Sequence, residues 1–288
     1  MIIEVFVWSK SYITIRYLTE LKRSCNSFMT LTRCLRPKKC VNDKKLTYLD
    51  DLHDESTPNI EQILTHMQKK ILGLDDSELI FNDKLSCKLH PDVEAPLIEL
   101  ATRASAQGFE LKIASSFRGF DRQLLIWNNK ALGLRPVLDD SGATIDIEKL
   151  TDREKIFAIL RWSALPGASR HHWGTDIDVY DASRISPDYH VQLTVAETEN
   201  DGPFAEFHQW LSKEMQSSVC KFYRPYAIDS GGIAPEPWHL SYAPVAQHYA
   251  AHLTEDVLRA QLQVTEIALK DTILENLAEI YARFVRTP

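Results

Sequence analysis

The stretch Ser169–Asp181, "SRHHWGTDIDVYD", decides how the chain is read. Its second half alternates as a strand, which puts Asp176 and Asp178 on one face and Thr175, Ile177 and Val179 on the other. Two carboxylates on one strand face are costly to bury unless a cation neutralises them. Gly174 permits a sharp entry into that strand, a turn that would fold His171 back over the same face. One imidazole and one carboxylate then meet at a point. A catalytic zinc takes three ligands from the protein and keeps a fourth position open.

A third ligand is sought outside this stretch. "APEPWHLSYAP", residues 234–244, offers Glu236 and His239 between prolines. Glu236 precedes Pro237 and is therefore extended, which excludes the helical arrangement in which two ligands share a helix face. Residues three apart in a regular strand point to opposite sides. Glu236 and His239 reach one centre only if the chain bends between them.

The pattern Ser169-x-His171-x-x-Gly174-x-x-x-Asp178, followed by Glu236-x-Trp238-His239, resembles the paired signature of the LAS metallopeptidases. That group comprises lysostaphin, the D-Ala-D-Ala carboxypeptidases and the Hedgehog signalling domain, and the nearest branch is the VanY-like D-alanyl-D-alanine carboxypeptidases. The resemblance covers roughly residues 85–250 and includes "SSFRGFDRQ", residues 115–123, ahead of the first ligand motif. It implies zinc held by His171, Asp178 and His239, with Glu236 as general base. Arg118 would stabilise the oxyanion or hold a substrate carboxylate, and Ser169 and Gln123 would contact substrate. Trp238 would wall the site. At Asp176 the sequence departs from the family, which has a small residue there. A solvated acid at a strand edge is the simplest reading; a contact to substrate, an acceptor behind a ligand and a rival ligand are the others.

The rest of the chain frames this site. It has 288 residues, 44% hydrophobic and 25% charged, as expected of a globular protein. The net charge of −7 divides into +7 over residues 1–45 and −14 over the remainder, so the main body lacks the basic face that nucleic-acid binding requires. Five cysteines, at 25, 34, 40, 87 and 220, form no C-x-x-C pair and are read as reduced thiols. No apolar run is long enough to span a membrane. "MIIEVFVWSKSYITIRYL" is broken by Glu4, Lys10 and Arg16, so a cytoplasmic location is expected, or a periplasmic one if the true start lies elsewhere, for instance at Met29.

Three regions are expected: a basic arm and linker over 1–58, a zinc carboxypeptidase domain over 59–255 and a C-terminal helical extension over 256–288. "NIEQILTHMQKKILGL" (59–74) places Ile60, Ile63, Leu64, Met67, Ile71 and Leu72 on a helical stripe. Helices are also expected from Pro91 to near Gly108, over 118–132, from the Thr151/Glu154 capping box, over 203–216 and after Pro244 with a stripe from Val257 to Phe284. Strands are expected in 109–117, 174–181 and 221–228. Elements mix without a βαβ rhythm, so the class is α+β: a small antiparallel sheet covered by helices, Hedgehog/D-Ala-D-Ala peptidase-like, with extra helical segments at both ends. The implied activity is removal of a C-terminal D-alanine from peptidoglycan peptides or muropeptides, by DD- or LD-cleavage. A non-catalytic zinc-stabilised binding module and a peptidoglycan endopeptidase are the alternatives.

Overall fold

The computed structural model describes residues 64–286. The expected basic arm and linker, together with Ile60 and Ile63, lie outside the described residues. In chain order the helices are α1 (His66–Ile71), α2 (Pro91–Ala106), α3 (Phe120–Ala131), α4 (Asp152–Leu160), α5 (Val195–Thr198), α6 (Ala205–Glu214), α7 (Ala243–His252), α8 (Glu255–Val264), α9 (Lys270–Glu275) and α10 (Leu277–Ile280). The strands are β1 (Ile80–Asn82), β2 (Cys87–Leu89), β3 (Leu111–Ser115), β4 (Val137–Leu138), β5 (Thr144–Ile145), β6 (Asp176–Asp181), β7 (Phe222–Tyr223) and β8 (His239–Tyr242).

Among the described residues, β3, β6, β8 and β7 form an antiparallel four-stranded sheet in that order, beside the small hairpins β1–β2 and β4–β5. The α+β class follows directly. Strand β6 is central, and its register on β8 sets Asp178 opposite His239 and Asp176 opposite Ser241. Alternation sends Ile177, Val179 and Leu240 to the other face. There they join Val93, Leu97 and Leu100 of α2 and Phe207 and Leu211 of α6 in one buried cluster. The polar face is left for the site.

Local sequence explains most boundaries. Pro91 starts α2, and His90 caps it by accepting from the Asp92 amide. Thr151 and Glu154 make the reciprocal bonds of a capping box. A second such box, Thr65 with Gln68, starts α1 at His66, later than the apolar stripe suggests. The 221–228 strand shrinks to Phe222–Tyr223. Pro225 lacks an amide hydrogen for the ladder, and the Arg224 guanidinium bonds instead to the Pro237 carbonyl.

The stripe from Val257 to Phe284 is several short helices rather than one. The chain turns at Leu269, which has φ +66°, and the adjacent Ala268 is tied to α3: its carbonyl accepts from Trp127 Nε1 at 3.1 Å and its amide donates to Asn128 Oδ1 at 2.9 Å. Nor is this segment a mere extension. Leu258, Leu262, Ile273, Leu277 and Ile280 share one buried cluster with Ile71, Trp127, Ile156 and Leu160.

Gly174 has φ +67°, and a Cβ there would sit 2.9 Å from the His90 backbone nitrogen. Gly174→Ala is expected to destabilise the protein by about 1–3 kcal/mol through left-handed strain and this contact. Leu262→Ala, in the shared core, should cost about 2–5 kcal/mol. Chemical denaturation measures both, and an unchanged midpoint for Leu262→Ala would contradict the integration of the C-terminal helices.

Candidate active site

The turn at Arg170–Trp173 ends at Gly174 and brings His171 over the polar face of β6. Coordinating atoms of His171, Asp178 and His239 lie within 4.8 Å of one another, and all three residues are buried. His171 Nε2 is 3.4 Å from Asp178 Oδ2, and His239 Nδ1 is 3.2 Å from Asp178 Oδ1. Glu236 Oε2 stands 3.4 Å from the same His239 Nδ1. The bend that alternation requires is present: the His239 amide donates to the Glu236 carbonyl in a turn, and β8 begins only at His239.

These groups fit a divalent metal. Asp178 Oδ1 is buried without a hydrogen-bond partner, despite its closeness to His239 Nδ1. Such an orphaned acceptor costs about 1–3 kcal/mol, more when charged, and a cation between the two atoms removes the cost. The far nitrogens are committed. His171 Nδ1 lies 2.9 Å from the Ser116 carbonyl, which can only accept, so Nδ1 carries the hydrogen and Nε2 is the lone pair. His239 Nε2 lies 2.9 Å from Asp176 Oδ1, which leaves Nδ1 toward the centre.

Asp176 corrects the sequence reading. It is fully buried in the sheet interior, not solvated at an edge. Its oxygens accept from Arg170 Nε at 2.8 Å, Thr175 Oγ1 at 2.7 Å and Ser241 Oγ at 3.1 Å as well as from His239. Withdrawn from solvent, it stands behind His239. Arg170, which the sequence reading passed over, supplies the compensating charge. Its guanidinium also donates to Tyr223 Oη and Ser241 Oγ and stacks over Trp173. Its position next to His171 and six before Asp176 is the signal that was available.

Gln123 also moves. It is fully buried in α3, where its amide donates to the Ala164 carbonyl at 2.6 Å and its oxygen accepts from Arg118 Nη1 at 2.9 Å. It orients Arg118. Ser115 Oγ holds the other arm of the guanidinium at 3.2 Å. Arg118 and Ser169 line a cavity of about 280 Å³ together with His171, Asp178, Glu236, Trp238 and His239. Lys130 and Tyr226 line it too, and neither was singled out from sequence. His172, also unassigned from sequence, is a satisfied core residue between the Arg118 carbonyl and the Gly167 amide.

Burial and charge set the protonation states. Burial draws the His171 pKa down and keeps the ring neutral. Burial alone would raise Asp178, but His171 and His239 outweigh it and hold the carboxylate well below its usual range. His239 is pushed up to about 10, its burial overcome by the hydrogen bond to Asp176 and by the nearby charges of Asp178 and Asp176. Glu236 rises to about 7, chiefly through burial, with His239 and Arg118 opposing and Asp178 assisting.

If Asp176 fixes the His239 ring, Asp176→Asn should weaken zinc affinity by about 10- to 100-fold while the fold persists. Competition against a chromophoric chelator measures this, and unchanged affinity would remove Asp176 from the support of the centre.

One curated relative, an uncharacterized protein of Haemophilus influenzae, is 54% identical over 66 residues, 23% of this chain and 45% of that protein, so the match spans less than half of the relative's length. Similar solved structures include VanYB in complex with D-alanine-D-alanine, at 20% identity and TM-score 0.41, covering 66% of this chain and 90% of that one. Another is the LD-carboxypeptidase LdcB, at 20% identity and TM-score 0.40, covering 72% and 78%. Residues 86–245, more than half of the chain and the span from β2 into the first turn of α7 that carries the site, match the family model described as VanY, D-alanyl-D-alanine carboxypeptidase, and the chain belongs to that family.

Proposed function

We propose that the chain is a zinc-dependent carboxypeptidase that hydrolyses the last peptide bond of peptidoglycan stem peptides and releases D-alanine. The observation that carries this reading is the convergence of His171, Asp178 and His239, with a fourth group, Glu236, beside them and outside the ligand set. A binding module stabilised by zinc has no use for a buried glutamate at that place.

Two imidazoles and one carboxylate are a donor set suited to zinc, which when bound supplies Lewis acidity and lowers the pKa of a water to about 7. Glu236 takes the proton of the attacking water and returns it to the leaving amine nitrogen. A carboxyl whose pKa burial has brought to about 7 is suited to both transfers near neutral pH. Arg118 is held by Gln123 and Ser115 and lines the cavity with His171, Asp178 and Glu236, where its guanidinium serves the oxyanion. The Arg224 guanidinium on the Pro237 carbonyl fixes the segment that carries Glu236 and His239. Trp238 and Tyr226 wall the cavity, and Tyr226 packs edge-on against His239 with ring centroids 5.0 Å apart.

DD-cleavage of a pentapeptide and LD-cleavage of a tetrapeptide call on the same groups. Zinc-loaded protein incubated with each defined peptide should release D-alanine from one or both, and chelation should abolish the release. Release of larger fragments without D-alanine would indicate an endopeptidase instead. Glu236→Gln should lower turnover by about 10²–10⁴-fold with zinc still bound. Undiminished turnover in that variant, with one zinc per chain by metal analysis, would contradict the assignment of the base.

A further inference from the structure

Between β7 and β8 the chain runs over residues 224–238 without helix or strand, and this loop carries Glu236. Irregular segments of about 12–15 residues are uncommon in compact domains, and a defined shape requires that their backbone groups be tied elsewhere. Here the ties come in succession. The Glu236 amide donates to the Tyr226 carbonyl at 2.9 Å, and the Ala234 amide donates to the Arg161 carbonyl at 2.9 Å, just past the end of α4. Arg161 Nη1 donates in turn to the Gly232 carbonyl at 2.7 Å, and its guanidinium pairs with Asp229. The next tie comes from the far end of the chain, where Arg283 Nη2 donates to the Gly231 carbonyl at 2.8 Å.

The junction is closely fitted. Gly232 is buried, and a Cβ there would stand 2.0 Å from the Arg283 carbonyl oxygen, nearer than two such atoms can approach. The loop and the turn Tyr281–Val285 therefore meet backbone to backbone at a position that only glycine fits. The Arg283 guanidinium is itself held. Its Nη1 pairs with Glu279 at 2.7 Å, and the group stacks over Phe157 of α4, 5.1 Å from the ring centroid. Arg283 lies well beyond residue 245, where the family match ends.

We infer that Arg283 is a positioning residue for the reaction: the C-terminal segment braces the loop at Gly231 and Gly232, and so fixes Ile233, which lines the cavity, and Glu236, which moves the proton. This rests on the carboxypeptidase reading above and gives its general base a support from outside the matched segment. The metal ligands are held by other means. Asp178 and His239 are set by the β6–β8 pairing, and His171 by the turn that ends at Gly174. Loss of the brace should therefore displace the base and leave the metal centre in place.

In zinc-loaded full-length protein, Arg283→Ala should lower kcat for D-alanine release by about 10- to 100-fold, with zinc stoichiometry and affinity unchanged. Arg283→Lys, which keeps a donor for the Gly231 carbonyl, should recover part of the loss. Added to Glu236→Gln, Arg283→Ala should cost little more, because the group it positions is already gone. A general loss of stability would act equally in both backgrounds. Hydrogen exchange supplies a readout free of turnover: Arg283→Ala should speed exchange of the Ala234 and Glu236 amides while those of β6 and β8 keep wild-type protection. Unchanged exchange at Ala234 and Glu236 would overturn the brace. Faster exchange with undiminished kcat, or an equal loss of turnover in the Glu236→Gln background, would overturn its bearing on the base. Wild type that releases D-alanine from no peptide would instead sink the carboxypeptidase reading, with the exchange result still deciding the brace.

Discussion

Two carboxylates two residues apart on the central strand of a sheet, both withdrawn from water, impose the condition that the rest of this structure meets. Desolvating a single unpaired carboxylate costs several kcal/mol, and two on one face also repel each other. The protein resolves the conflict by giving each acid a different counter-charge. Asp176 receives Arg170, with Thr175, Ser241 and His239 saturating its oxygens. Asp178 receives no fixed cation; it faces two imidazoles and keeps one oxygen unbonded. One carboxylate is structural, and its neighbour is thereby left available to a metal.

The two-sidedness of β6 links that local solution to the fold. Ile177 and Val179 anchor the strand in the cluster formed with α2 and α6, so the acids cannot turn away from the polar face without emptying the core. The β6–β8 register carries His239 to a place opposite Asp178, and the left-handed turn at Gly174 carries His171 over both. Side chains from three separate segments are in this way positioned by backbone pairing and apolar packing. Arg170 contributes twice, through its charge on Asp176 and its stacking on Trp173 beside the His171 turn.

What could be read from sequence was whatever depended on short-range geometry. Period-two alternation put Asp176 and Asp178 together, a glycine marked the turn, and Pro237 after Glu236 required a bend before His239. The Thr151/Glu154 capping box and Pro91 gave the α4 and α2 starts for the same reason. What stayed hidden depended on long-range pairing. Arg170 stands only six residues before Asp176, but whether it folds back against the acid depends on the turn ending at Gly174 and on the pairing of β6 with β8, so a fully buried acid read as a solvated one. Gln123 looked like a substrate contact because its carboxamide partners, Ala164 and Arg118, are set by tertiary packing. Lys130, not singled out from sequence, reaches the cavity only through the packing of α3. The breaks within the C-terminal helical stripe were not legible, since Trp127 and Asn128, which hold its turn at Ala268, are about 140 residues away.

Anomalous scattering at the zinc edge from crystals of the zinc-loaded protein would test the central claim most directly. The account predicts one peak per chain, bonded to His171 Nε2, His239 Nδ1 and an Asp178 oxygen at about 2.0–2.2 Å, with Asp176 still on Arg170 and Glu236 off the metal. A chain with no peak there, or a zinc bound by Asp176 in place of Asp178, would contradict it.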